Sequence, residues 1–217
     1  MNVFQYWPVL AEGLKYTLAV TLVAFVIATV LAVPVTGLRV SRVRVLRFAG
    51  TSFVEVLRGV PPLTWLFLAY FGLPAAGWSI EPLTAGILVL GVVYSSYLVE
   101  VYRAGLRAVP DGQREAAHSL GLGRRVTYVR VIAPQALRTI LPPAVAYLIA
   151  LLKDSALVST IGVLDVTAQA LSIGQSSPNS LAVFVSAALL YLAFSVPIGA
   201  LARQLDVRLR HGQKAWA

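Results

Sequence analysis

An all-α integral membrane protein with five transmembrane helices is the fold class this sequence predicts, and three observations predict it. Charged residues make up 12% of the 217 residues, about half the ~25% of ordinary globular domains. Apolar residues reach 58%, with a mean hydropathy of +0.78. Finally, arginine falls in alternate segments between the long apolar runs. Disorder is excluded, because disordered chains are polar and charge-rich. With no cysteine and only 2 histidines, disulfide scaffolds, thiolate chemistry and multi-histidine metal sites are not expected.

A bilayer crossing needs about 20 mostly apolar residues. Uncharged runs place the crossings near residues 14–37, 53–73, 83–102, 141–164 and 181–202 within a single membrane domain, 1–217. The first run is uninterrupted. The second contains Pro61-Pro62, which fixes backbone angles and removes amide donors, so it marks a kink or break. The third is short and uncharged up to Glu100. The fourth carries Lys153 and Asp154 near its middle. The fifth follows a polar cluster, Ser172 to Ser180, that reads as a loop, and Pro197 is a further kink candidate.

The net charge of +9 is distributed with a side preference. Arg39, Arg42, Arg44 and Arg47 follow the first run; Arg103 to Arg138 follow the third; Arg203, Arg208, Arg210 and Lys214 end the chain. The other two connections hold no Lys or Arg. By the positive-inside bias the N-terminus lies outside and the C-terminus inside, with Lys15 the lone outer basic residue. A nucleic-acid binder would gather its charge on one soluble face, so no nucleic-acid partner is expected. The opening residues lack a basic n-region and a cleavage site, so a cleaved leader is not expected. Tyr6, Trp7 and Trp78 suit outer-interface anchors.

The inner segment 103–138 is too long for a structureless loop and reads as two short helices. Pro110-Asp111-Gly112 is a start signal with Asp111 as a candidate N-cap. Gln113 to Leu120 forms a first helix, and Gly121 sits where a left-handed cap would end it. A second helix from about Arg124 to Ile132 is expected to close at Ala133-Pro134. Ala116, Ala117 and Gly121 allow another surface to approach closely.

Glu115-Ala116-Ala117, then Gly121, then Val131-Ile132-Ala133-Pro134 resembles the EAA loop of ABC importer permease subunits, with Val131 and Ala133 departing from its usual ending. Phe53 to Pro62, Tyr97 to Gly105, Pro110 to Gln113, Pro134 to Pro143 and Leu152 to Thr167 resemble the polar-amino-acid branch of that family, in order. The resemblance implies that Glu115, Ala116, Ala117, Leu120, Gly121 and Pro134 couple the permease to a separate ATPase. It also implies two cytoplasmic ABC ATPase subunits, a second permease subunit, an extracytoplasmic solute-binding protein and a multi-pass place in the inner cell membrane, among membrane lipid. No cofactor is expected on this chain; ATP and Mg would sit on the partner ATPase. The chain has no phosphate-loop motif and no Ser/His/Asp arrangement, so it is read as a transport subunit and not an enzyme.

Charge inside a crossing costs about 2.5–3.5 kcal/mol or more and marks function or pairing. If the fourth helix continues, Asp154, Val158, Ile161 and Asp165 share one stripe, beside Ser155, Ser159 and Gly162. Lys153, Asp154, Ser155, Ser159 and Asp165 are therefore candidates for a substrate path, with Asp154 or Asp165 alternatively tying down backbone or a basic residue. Glu55 with Arg58, and Glu100 with Arg103, are i, i+3 pairs: either local helix support or an inner gate. Other readings are a permease for a compatible solute, opine or amino-acid derivative, a membrane lipid-metabolism enzyme, or a small channel.

Overall fold

The computed structural model describes residues 3–214; side chains at 3, 205, 206 and from 208 onward lie outside it, including those of Arg208, Arg210 and Lys214. After a 3-10 turn at Val3–Tyr6, the described residues form helices α1 (Trp7–Arg39), α2 (Arg44–Gly59), α3 (Pro62–Ala75), α4 (Pro82–Arg107), α5 (Asp111–Ser119), α6 (Arg124–Ile161), α7 (Val166–Ser176) and α8 (Ser180–Lys214). Four of these are long and apolar enough to cross a membrane, and the bent pair α2–α3 makes up to 5. The protein is a multi-pass membrane protein.

Helices α1 and α4 form the spine. Ala24, Ala28 and Ala32 recur at every fourth residue on α1 and are fully buried. Small side chains let helix backbones approach closely where lipid offers no hydrophobic drive. On α4, Gly91 answers them: a Cβ there would lie 3.2 Å from the Ala24 carbonyl oxygen. Leu90, Leu98 and Val99 complete the core with Leu151 and Val158 of α6.

The second expected crossing, 53–73, is not one straight helix. The α2 and α3 axes meet at 98° across Val60-Pro61. Both residues are extended, as the residue before a proline prefers. The carbonyl of Leu57, four residues before Pro61, accepts instead from the Trp65 indole N–H at 3.2 Å.

Pro134 does not close a helix, contrary to expectation. From Arg124 the chain runs through π turns at Thr127–Ile132 straight into Ala133–Asp154. A proline ring strikes the carbonyl four residues back. That carbonyl belongs to Arg130, inside the widened π turns. The same device recurs in α3, where the π turns at Leu68–Gly72 contain Tyr70, four residues before Pro74.

The far end of α6 also departs from expectation. Helix α6 tightens to 3-10 geometry at Ser155–Ile161 and stops at Gly162, whose φ is +92°. The polar cluster 172–180 is mostly helix: α7 reaches Ser176, and α8 begins at Ser180 and runs on through Pro197.

Candidate functional site

The elbow formed by α5 and the start of α6 is built from its caps outward. Pro110, not Asp111, occupies the cap of α5; Asp111 lies in the first turn and takes the Arg114 guanidinium at 2.6 Å. At the other end the Leu122 amide donates to the Ala117 carbonyl at 3.0 Å, and the Gly121 amide to the His118 carbonyl at 2.9 Å. This paired closure needs a left-handed residue, and Gly121 supplies it with φ +69°.

The elbow's faces separate its candidate residues. Glu115, Ala116 and Gly121 are exposed, and Leu120 is 78% exposed. Ala117 is not available to a partner. It is buried, and α5 lies against the π turns at Thr127–Ile132. The Gln135 amide donates to the Gln113 side-chain oxygen at 3.1 Å, tying the elbow to α6. Pro134 is exposed on α6 rather than at a helix end.

The membrane-depth candidates divide in two. The expected stripe from Asp154 to Asp165 is broken, because the helix ends at Ile161. Asp165 is fully buried and caps α7: its carboxylate accepts from the Ala168 amide at 2.9 Å and the Tyr191 hydroxyl at 3.3 Å. Its position is fixed by Gly13 of α1, where a Cβ would lie 2.5 Å from the Asp165 carbonyl carbon. The residue is therefore a pin between α1, α7 and α8, and its hydrogen bonds stay within the chain.

Asp154 is half-buried and accepts from the Tyr94 hydroxyl at 2.8 Å. Lys153, its neighbour, is exposed and turned away. The Ser155 and Ser159 hydroxyls donate to their own helix, to Leu152 at 2.8 Å and Ala156 at 2.7 Å. Buried Ser155 thus serves the turn into 3-10 geometry.

Sequence reasoning missed an aromatic column. Tyr94 and Tyr97 lie 5.5 Å apart, and Tyr97 stacks on Tyr147 at 5.4 Å. The Arg58 guanidinium lies over the Tyr97 ring, 5.4 Å from its centroid. Arg58 and Glu55 form no ion pair among the described residues; the i, i+3 spacing gives way to a cation–π contact across helices. The column therefore runs from a cation at Arg58 to a carboxylate at Asp154. The i, i+3 tyrosines of α4 were the available signal. Glu100 does pair with Arg103, whose Nε donates at 3.0 Å, and it also takes Arg39 of α1.

Comparison with known proteins adds three findings. The family model described as "Binding-protein-dependent transport system inner membrane component" matches residues 21–211. Among curated proteins, the L-cystine transport system permease protein TcyB of Bacillus subtilis (strain 168) is 33% identical, over 86% of this chain and 80% of its own length. The probable glutamine ABC transporter permease protein GlnP of the same organism is 35% identical, over 94% and 95%. Among solved structures, a chain of an amino acid ABC transporter crystallised with histidines superposes with a TM-score of 0.87 at 34% identity, covering 94% of this chain and 95% of that one. A chain of the inward-facing MetNI methionine transporter shares the fold, with a TM-score of 0.79 at 22% identity.

Proposed function

The chain belongs to the family of binding-protein-dependent transport system inner membrane components, and from that membership we infer the work of its two sites. It acts as the permease subunit of an ATP-driven importer for a polar amino acid. A second permease subunit completes the path, two cytoplasmic ABC ATPases carry ATP and Mg, and an extracytoplasmic solute-binding protein delivers substrate. The N-terminus faces outward and the C-terminus inward.

One observation carries this reading: the exposed elbow packs on the first turns of the helix that holds Asp154. A load on Glu115, Ala116, Leu120 and Gly121 passes through α5 to the π turns beneath it. From Arg124 to Asp154 the chain is helical without a break, about 45 Å at 1.5 Å per residue. A displacement at the elbow therefore reaches Tyr94–Asp154 without a hinge between. The column suits a zwitterion, with Arg58 toward its carboxylate and Asp154 toward its ammonium group.

The test replaces Gly121 by Asp and Glu115 by Lys together. The first change strains the left-handed cap and the second reverses the elbow's exposed charge. We expect loss of ATPase co-purification and of binding-protein-stimulated ATP hydrolysis in proteoliposomes. A full complement of ATPase on the double variant would overturn the coupling reading. The chain contains no cysteine, so Trp78→Cys and Leu120→Cys report sidedness cleanly: outside reagent should label the first and not the second.

A further inference from the structure

Two cavities meet at the inner end of α1, and their linings differ in kind. The larger, about 820 Å³, lies between α1, α4 and α6 and is lined almost wholly by apolar groups, including Phe25, Val33, Gly37, Leu137 and Leu141. The smaller, about 450 Å³, is lined by Arg39, Arg42, Arg47, Arg107 and Arg114. Val40, Leu106 and Tyr128 line both, so the two adjoin.

Arg39 is held by Glu100, and Arg114 by Asp111. Among the described residues no carboxylate pairs with Arg42, Arg47 or Arg107. The basic cavity therefore carries an unbalanced positive charge. The apolar groove follows α1 from Phe25 to Val40, about 22 Å at 1.5 Å per residue, roughly three-quarters of the ~30 Å hydrocarbon core. Tyr128, 52% exposed, stands where the groove becomes polar, as aromatic side chains do at membrane interfaces.

We propose that this composite cavity is a binding site for one anionic phospholipid of the cytoplasmic leaflet. Its headgroup phosphate sits among Arg42, Arg47 and Arg107, and an acyl chain lies in the groove between α1 and α6. An apolar slot ending in unpaired guanidinium groups fits an anionic amphiphile better than a protein surface or a free anion, which would need only one of the two cavities. Arginine suits phosphate because its planar fork donates two parallel hydrogen bonds. The groove also takes in Ala133 and Pro134 beside the π turns, so the lipid would brace the helix that leaves the elbow. The proposal rests on the cytoplasmic placement of the arginines, and the cysteine-labelling readout reports a failure of that placement separately.

The test uses the assembled transporter in nanodiscs of phosphatidylcholine alone and of phosphatidylcholine mixed with an equal part of phosphatidylglycerol. Native mass spectrometry after detergent extraction reads the retained lipid. The parent should retain phosphatidylglycerol over phosphatidylcholine and unfold at higher temperature in the mixed discs. Replacing Arg42, Arg47 and Arg107 by Gln should weaken retention about fivefold per arginine removed, whereas the triple Lys variant should keep most of it. Gly37→Trp sets a large side chain on the groove wall, where a Cβ finds nothing within 4 Å; it too should expel the lipid. Equal retention of both lipids by the parent overturns the proposal. So does an equal thermal shift with inorganic phosphate, which would mark a free-anion site. Loss of ATPase from the Gln variant with lipid retained would make the basic cavity a docking surface, and loss of the second permease from Gly37→Trp with lipid retained would make the groove a subunit interface.

Discussion

Pro61-Pro62 and Pro142-Pro143 are the same dipeptide in two apolar runs, yet the first turns the chain through 98° and the second lies inside an unbroken helix. The difference is taught by their flanks. Gly59 and β-branched Val60 precede the first pair, and both resist helix. Leu141, a good helix former, precedes the second. Packing then decides. Below Pro142, Ile140 fits the notch left by Gly105 of α4, where a Cβ would lie 3.0 Å from the Ile140 Cδ1 and 3.1 Å from the Ala136 carbonyl oxygen. Above Pro143, Tyr147 stacks on Tyr97, and Asp154 takes the Tyr94 hydroxyl. Helix α6 is thus clamped to α4 on both sides of its prolines. At the first pair, α2 and α3 each rest on α4 at their own angle, and Trp65 satisfies the carbonyl that the break releases.

The largest expected effect comes from removing the lower clamp. Gly105→Leu overfills the notch and should cost about 1–3 kcal/mol, with α6 bending at Pro142. Thermal unfolding in detergent and spin-label distances across the prolines would register both, and an unbent helix of parent stability would refute the clamp. Asp154→Asn turns a charge-assisted hydrogen bond into a neutral one, so a loss of about 1–2 kcal/mol is expected. The same variant should slow uptake in proteoliposomes; unchanged affinity and rate, with the ATPase still docked, would remove Asp154 from the path. Trp65→Phe keeps the ring and deletes the donor to Leu57. It should cost about 0.5–1.5 kcal/mol and loosen the 98° corner, leaving α6 untouched; spin labels on α2 and α3 would broaden if the indole holds the bend.

Legibility followed the range of the interaction. The elbow could be read because its determinants are local: Gly121 is the residue that a left-handed closure favours, and Pro110 marks the start one residue earlier than the Asp111 cap expected. The Glu100–Arg103 pair, three residues apart, was equally visible. The Asp154–Asp165 stripe failed because it assumed an uninterrupted helix, and Gly162 ends that helix. Glu55–Arg58 is not an ion pair, because Arg58 instead lies over Tyr97, a residue on another helix. Ala117 was placed on a docking surface by its size, but its direction is set by where α5 lies on the π turns.

By itself, the sequence determined the helical membrane class, the apolar runs, the alternation of basic segments and the elbow's glycine turn, because hydropathy, charge and backbone preference act within a few residues. Only the tertiary structure decided which prolines break a helix, which carboxylate faces an aromatic column and which becomes a cap, and where a greasy groove opens into a nest of arginines. Those outcomes depend on side chains that meet from distant helices, where a packing contact or a shared hydrogen bond outweighs the local preference of either partner.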